Sequence, residues 1–146
     1  MGTRSMTAVA VAFALTSCHS AAVGPRPHTA DGTIAETTDS AFVADVLGSG
    51  RPAVVYYKAF GCIPCISLGP HVKRLAARYA GRVTFWTLDM GWSAARVRRY
   101  DVPAVPSLVF YSDQQEIVRQ EGMPVPATDD SLERFVEEGL KAATPP

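Results

Sequence analysis

The chain has 146 residues, of which 47% are hydrophobic and 19% charged, and 14 basic side chains balance 14 acidic ones. This length predicts a single domain with a sizeable core, while the composition excludes intrinsic disorder and the balanced charge excludes an electrostatic nucleic-acid binder. Three cysteines are too few for a disulfide scaffold, so the two in a Cys-x-x-Cys motif are expected to carry chemistry.

The first 17 residues have the layout of a secretory signal peptide. Arg4 precedes an apolar run over residues 8–15, which is far shorter than the roughly 20 residues that span a bilayer. The next segment, Leu15-Thr16-Ser17-Cys18, resembles the bacterial lipobox, whose cysteine is lipidated and becomes the new N-terminus. We therefore expect removal of residues 1–17 and a lipid anchor on Cys18. A plain signal peptide cut a few residues further on is the alternative.

The anchor determines the expected location and domain boundaries. Residues 18–33 are rich in Gly and Pro and predict a tether, residues 34–142 the folded domain, and residues 143–146 a short tail. The protein is expected in the bacterial cell envelope, in the periplasm and anchored to a membrane, or secreted if it is not lipidated. Because Cys18 is not followed by Asp, the outer membrane is favoured over the inner one.

Beyond the tether, strand-like and helix-like segments alternate, as is typical of an α/β fold. The first is a short edge strand over residues 33–36. A helix capped by Asp39 or Ser40 follows and ends at Gly48. Residues 53–57 are continuously apolar, which predicts a central strand buried on both faces.

The remaining elements continue this alternation. A helix runs from the cysteines to Gly81 and contains Pro70, which is expected to kink it. It is followed by a strand over 83–88, a helix over 93–99, a buried strand over 107–111, a strand over 116–120 and a final helix capped by Asp130 with Glu133.

Several isolated residues are expected to have structural roles only. Trp86 and Trp92 are predicted to pack in the interior. Three arginines of the 93–99 helix are predicted to form a solvated face, namely Arg96, Arg98 and Arg99. His71, nearly two turns beyond Cys65, is expected to be exposed.

The Cys-x-x-Cys motif lies between a buried strand and a helix. The helix start supplies unpaired N–H groups and the positive end of a dipole at the first sulfur, which favours the thiolate. Cys62, preceded by the flexible Gly61, is the predicted nucleophile and is expected to be reachable from solvent. Cys65, one turn further on and closer to the body of the domain, can attack a mixed disulfide from within.

Four separated features resemble the thioredoxin family. They are Phe60-Gly61-Cys62-Ile63-Pro64-Cys65, Pro70 in the next helix, Val105-Pro106-Ser107 at a later buried strand, and Gly122 after the hairpin. The resemblance covers about residues 34–142. It implies an α/β thioredoxin fold, with a central mixed β-sheet and helices on both faces. The strands beginning at residues 53, 83 and 107 would lie inside and the hairpin strand from 116 at an edge.

The same resemblance implies how a substrate is bound. The peptide bond between Val105 and Pro106 is expected to be cis and to present backbone groups to a substrate strand across from Cys62. Ile63 and Pro64 complete the expected substrate-binding set.

The chain departs from the family pattern around the cysteines. Gly61 and Ile63 replace a Trp and a Gly, and Tyr56 replaces a buried acid that would accept the proton of the second thiol. A phenol with a pKa near 10 cannot be a base near pH 7, so either water or another group serves, or Cys65 resolves slowly. Lys58 replaces a second Trp, and we expect it to extend into solvent.

These features predict an exported thiol–disulfide oxidoreductase of the protein-disulfide reductase type that needs no cofactor. The Ile63-Pro64 dipeptide holds no cation to stabilise the reduced thiolate, which favours the reducing direction. The expected partners are disulfide-containing exported proteins and a membrane dithiol donor. The protein is expected to be a monomer and to bind no nucleic acid.

Two alternatives remain open. The first is a Cu(I) or metal chaperone, although no metal ligand set is predicted, because a closed zinc site needs about four ligands and the histidines are His19, His28 and His71 only. The second is a non-catalytic binding module, in which Cys62 and Cys65 form a permanent disulfide and the surface near Pro106 holds a partner.

Overall fold

The computed structural model describes residues 32–144, and the predictions for the signal peptide, Cys18 and most of the tether lie outside this range. Its strands are β1 (Ile34–Glu36), β2 (Ala53–Lys58), β3 (Thr84–Asp89), β4 (Ser107–Ser112) and β5 (Gln115–Glu121). Its helices are a single-turn π-helix (Val43–Leu47), α1 (Ile63–Arg78), α2 (Ala94–Tyr100) and α3 (Asp129–Ala143). Within residues 32–144, no helix has both the length and the apolar character needed to cross a membrane.

The strands form one mixed sheet in the order β1-β3-β2-β4-β5. β1, β3 and β2 run parallel, whereas β4 is antiparallel to β2 and β5 is antiparallel to β4. β2 is buried from Ala53 to Tyr57 because it has a strand on each side and helices over each face. This confirms the predicted α/β architecture, with β1 and β5 as edge strands.

Side chains of β2 alternate between two apolar clusters, one on each face of the sheet. Val54 and Tyr56 point towards α1 and α3, in a cluster that includes Leu68, Val72, Leu75, Leu132, Phe135 and Val136. Val55 and Tyr57 point the other way, towards the π-helix and α2, in a cluster that includes Phe42, Val46, Trp86, Leu88 and Tyr100. Helices on both faces therefore cover the sheet, as the sequence predicts.

Helix α3 packs closely on the sheet and runs alongside α1. A Cβ on Gly139 would come within 2.5 Å of the Phe110 ring, so a glycine is needed for this approach. Arg74 of α1 pairs with Asp129 of α3 at 2.8 Å, and Arg78 pairs with Glu133 at 2.6 Å. These pairs follow the same order in both helices, so α1 and α3 run parallel.

The predicted cap of the first helix is wrong. The π-helix follows Phe42, and its start has no capping side chain. Asp39 instead accepts hydrogen bonds from Arg96 and Tyr100, each at 2.8 Å. Arg96 is therefore half-buried in a long-range ion pair and does not belong to a solvated face.

The predicted cap of α3 is also wrong. Thr128 accepts from the Ser131 N–H at 3.3 Å, and the Ser131 side chain accepts from the Thr128 N–H at 3.2 Å, so these two residues form the capping box. Asp129 is held by His71 and Arg74 of α1. His71 is consequently half-buried between two helices, contrary to the expectation that it is exposed.

Candidate active site

The two motif cysteines lie where β2 leads into α1. Cys62 and Cys65 are joined by a disulfide, with Cα atoms 5.2 Å apart. Gly61, just before the pair, has a φ of +74°, a left-handed conformation that favours glycine. The chain can therefore turn from the end of the strand directly into the helix, with the first sulfur at the helix start.

Cys62 caps the N-terminus of α1. Its Sγ accepts the N–H of Cys65 at 3.2 Å, so one of the unpaired donors of the helix start points at this sulfur. A hydrogen bond of this kind, together with the helix dipole, favours the ionised form of the sulfur once the disulfide is reduced. The residue has the geometry of a nucleophile and of a good leaving group.

The expected difference in exposure between the two cysteines is absent. Cys62 is 5% exposed and Cys65 6%. The reason is a long-range contact, because the Sγ of Cys62 lies 3.8 Å from the carbonyl oxygen of Val105. The loop before β4 thus covers the first sulfur of the oxidised protein.

The predicted substrate-binding residues lie on two segments, the start of α1 and the loop before β4. The Val105–Pro106 peptide bond is cis. Val105 is half-buried and Pro106 is buried, so the side chain of Pro106 belongs to the core and the accessible part of this segment is Val105. Ile63 and Pro64 are exposed at the start of α1. The two segments that carry these four residues meet where the Cys62 sulfur lies 3.8 Å from the Val105 carbonyl oxygen.

Trp92 is a site residue that sequence reasoning missed. Its side chain is not packed in the interior, since the residue is 70% exposed. Its Nε1 donates to the carbonyl oxygen of Phe60 at 3.0 Å, which ties the loop after β3 to the cysteine loop. Together with Val105, Trp92 lines a cavity of about 290 Å³ whose other walls include Ala59, Met90, Val97 and Val102. An exposed aromatic ring therefore lies between the loop that leads to Cys62 and the Val105 segment.

Tyr56 contacts the second cysteine through the backbone. Its hydroxyl donates to the carbonyl oxygen of Cys65 at 2.7 Å. Burial raises the pKa of Tyr56 to about 12 because the charged phenolate is disfavoured away from water. The phenol is therefore neutral at pH 7 and cannot take the proton of Cys65, as predicted.

A cavity of about 650 Å³ opens beside Cys65, and the wall of this cavity carries charge. Lys58 lines it, with Nζ 3.5 Å from a carboxylate oxygen of Glu36. The expectation that Lys58 simply extends into solvent is therefore wrong. Sequence reasoning missed Glu36 because only the pairing of β1 with β3 brings this strand next to the cysteine helix.

The described residues hold no cluster of three or more His, Cys, Asp or Glu side chains that could hold a metal ion. His71 is engaged by Asp129 and Arg74. His19 and His28 lie outside the described residues.

Comparison with known proteins gives a consistent result. A family model described as Thioredoxin matches residues 33–138, which includes both cysteines and the Val105–Pro106 segment. Thioredoxin C-2 of Corynebacterium nephridii is 30% identical over 108 residues, or 74% of this chain and 97% of that protein.

Other relatives match a shorter part of the chain. Thioredoxin of Thiocapsa roseopersicina is 34% identical over 85 residues, which cover 58% of this chain and 92% of the relative. Thioredoxin of Mycobacterium tuberculosis is 31% identical over 84 residues, which cover 58% and 72% respectively.

Proposed function

The chain belongs to the thioredoxin family and carries the redox-active cysteine pair of a thiol–disulfide oxidoreductase, and from this premise we propose that it is an exported protein-disulfide reductase. The observation that carries the proposal is the position of Cys62, whose Sγ caps α1 and accepts the Cys65 N–H at 3.2 Å. This arrangement favours the thiolate, which is the nucleophile in disulfide exchange.

The reaction has two exchange steps. The Cys62 thiolate attacks one sulfur of a substrate disulfide, forms a mixed disulfide and releases the other substrate sulfur as a thiolate, which takes a proton from water. Cys65 then loses its proton and attacks Cys62. The second substrate sulfur leaves, and the Cys62–Cys65 disulfide closes. The substrate disulfide is reduced and the protein dithiol is oxidised, with two electrons transferred.

The substrate is an extended segment of a protein around its cystine. Val105 and Pro106 hold its backbone across from Cys62, while Ile63 and Pro64 contact it from the start of α1. The 3.8 Å separation between the Cys62 Sγ and the Val105 carbonyl oxygen supports this assignment, because a strand bound there would lie within reach of the sulfur.

The direction of the reaction follows from the dipeptide between the cysteines. Ile63 and Pro64 bring no positive charge to the Cys62 thiolate, so the reduced form lacks the added stabilisation that makes a strong oxidant. We expect a potential closer to that of thioredoxin, about −270 mV, than to that of a strongly oxidising relative, about −120 mV. A measured potential above about −170 mV would reverse the assigned direction.

Export and anchoring rest on the N-terminal segment. A lipid on Cys18 holds the domain at a membrane of the cell envelope, where a membrane dithiol donor returns it to the reduced form. Fractionation of cells that produce the full chain tests this directly. The unchanged protein is expected with the membranes, and Cys18→Ser is expected to release it or to leave it unprocessed. A Cys18→Ser protein with unchanged membrane association and processing would contradict the lipid anchor.

The activity is tested by the reduction of insulin disulfides with dithiothreitol as electron source. The protein is expected to accelerate the reaction, and Cys62→Ser is expected to return it to the background rate. Absence of acceleration by the unchanged protein would favour the second candidate, a binding module with a permanent disulfide. The near-complete burial of both cysteines, 5% and 6% exposed, is the observation that favours that candidate.

A further inference from the structure

The proposed function requires the resolving thiol, Cys65, to ionise, and the residues discussed so far do not explain how the thiolate is stabilised. Cys65 attacks as a thiolate, yet it is 6% exposed, and burial alone disfavours the charged form. The neighbouring Tyr56 hydroxyl is committed to the Cys65 carbonyl oxygen and stays protonated. A group other than Tyr56 must therefore favour the Cys65 thiolate.

The cavity beside Cys65 brings charged side chains to this position. Its walls come from β1, β2, β3 and α1, and they include Ile34, Glu36, Tyr56, Lys58, Cys65 and Thr87. Its volume of about 650 Å³ is large enough to admit water, which takes about 30 Å³ per molecule in the liquid. The proton of Cys65 can therefore leave through the cavity to solvent.

The β-strand geometry explains why Lys58 lies in this wall. Tyr56 and Lys58 are two positions apart on β2, so both side chains start on the face covered by α1. The side chain of Lys58 is only 35% exposed, and its ammonium pairs with Glu36 at 3.5 Å. The pair keeps the lysine along the cavity wall, whereas an unpaired lysine would extend away from it.

Among the described residues, the other groups around Cys65 do not hold a positive charge along the cavity wall as Lys58 does. On its own helix, Lys73 lines the cavity but is exposed. β3 contributes the uncharged Thr87 to the wall, and its Asp89, the register partner of Lys58, is exposed, accepts the Gly91 N–H at 2.8 Å and does not line the cavity. Elsewhere in the described chain, α3 and β4 bring apolar side chains to the cluster that contains Cys65, including Leu108, Leu132 and Phe135.

We propose that Lys58 favours the ionised form of the Cys65 thiol through the cavity, with Glu36 holding the ammonium in place and weakening its effect. The inference rests on the proposed function, since it concerns the second exchange step. In that step, Cys65 gives its proton to water in the cavity, and its thiolate forms the bond to Cys62 while the substrate sulfur departs. Lys58 does not touch the reacting sulfurs, so it is a positioning residue that acts through its charge.

The first test titrates Cys65 in the full chain carrying Cys18→Ser and Cys62→Ser, which leaves one cysteine. The ultraviolet absorbance of the thiolate, followed against pH, gives the pKa of Cys65. Lys58→Met is expected to raise this pKa by roughly half a unit to one unit, because a positive charge acting across a solvated space is lost. Glu36→Gln is expected to lower it, since a negative charge is removed and the ammonium is freed.

Lys141→Met is the matched control. It removes the same charge from the last turn of α3, and because α1 and α3 run parallel, this turn lies near the end of α1 remote from Cys65. The control is expected to leave the pKa unchanged. Equal pKa values for Lys58→Met and Lys141→Met, or a rise with Glu36→Gln, would overturn the inference. Lys58→Gln is the replacement if Lys58→Met loses its far-ultraviolet circular dichroism.

The second test measures resolution itself in the Cys18→Ser chain. Reduced protein is mixed with an aromatic disulfide that releases a coloured thiolate. The first thiolate is released when Cys62 attacks the reagent, and the second when Cys65 attacks Cys62 and the Cys62–Cys65 disulfide forms. Lys58→Met is expected to slow the second release about three- to ten-fold near pH 7 and to match the parent above the thiol pKa. An equal slowing at all pH values would indicate a structural effect and refute the inference. The first test needs no substrate, so it gives its answer even if the protein reduces no protein disulfide.

Discussion

Cys62 and Cys65 are buried to a similar degree, but the two sides of their disulfide have different neighbours. On the Cys62 side, the groups near the sulfur are backbone atoms, namely the Cys65 N–H at 3.2 Å and the Val105 carbonyl oxygen at 3.8 Å. On the Cys65 side, a cavity carries the Lys58–Glu36 ion pair. Ionisation of the first sulfur is therefore expected to depend on the helix start, whereas ionisation of the second is expected to depend on side chains that single substitutions can change.

The largest effects should come from the sulfurs themselves. Cys62→Ser is expected to abolish disulfide reduction, and Cys65→Ser is expected to accumulate a covalent adduct of substrate on Cys62, because the mixed disulfide cannot be resolved from within. Mass spectrometry of each variant, purified without reductant, makes the comparison. Adducts of similar yield on Cys65 of the first variant and on Cys62 of the second would show that the two cysteines do not differ in reactivity.

On the Cys62 side, Trp92→Ala is expected to lower kcat/KM for a protein disulfide about ten-fold, which is about 1.4 kcal/mol. Its exposed ring and the cavity that it shares with Val105 offer apolar contact to a substrate. The urea midpoint should move little, because the ring is mostly exposed. A large loss of stability with unchanged kinetics would instead make Trp92 a structural residue.

On the Cys65 side, Tyr56→Phe is expected to lower the free energy of unfolding by about 1 kcal/mol, because the buried Cys65 carbonyl loses a hydrogen bond of 2.7 Å. Tyr57→Phe is the matched control, since it removes a buried hydroxyl paired with Tyr111 on the opposite face of the sheet. Urea unfolding measures both variants. Tyr56→Phe is expected to alter the rate at which Cys65 attacks the mixed disulfide on Cys62, and Tyr57→Phe is expected to leave this rate unchanged. Equal rates of attack by Cys65 in the two variants would show that the Tyr56 hydrogen bond has no effect on the Cys65 thiol.

The smallest effect is expected from the helix wall of the cavity. Gly69→Ala should change the free energy of unfolding by less than about 1 kcal/mol, because the gain from replacing a helical glycine is offset by the steric conflict between a Cβ and the ring of the following Pro70. Gly139→Ala makes the same change in α3 and should destabilise, since its Cβ would clash with Phe110. Thermal unfolding of both variants tests this, and a loss of stability in Gly69→Ala as large as that in Gly139→Ala would contradict the described packing.

The sequence predicts the central elements well for a physical reason. Residues 53–57 and 107–111 are buried on both faces, so their composition alone indicates inner strands, and Cys62 follows one of these strands at a helix start. The pair of cysteines and the mixed sheet could therefore be anticipated from local patterns together with a family resemblance.

What could not be anticipated depends on contacts between distant segments. Asp39 binds Arg96 and Tyr100, so it does not cap the first helix. Glu36 meets Lys58 only because β1 joins the sheet beside β3. Similarly, the local pattern around Trp92 does not indicate its bond to Phe60. No periodicity or motif spacing records such pairs, and they account for the misassigned caps and the missed site residues.

The most direct test is the ionisation of Cys62 in the reduced, folded protein, measured by the pH dependence of its alkylation in the chain that carries Cys18→Ser and Cys65→Ser. We expect a pKa clearly below the value of about 8.5 for free cysteine, because the helix start and the N–H of residue 65 favour the thiolate. A pKa at or above 8.5 would contradict this expectation.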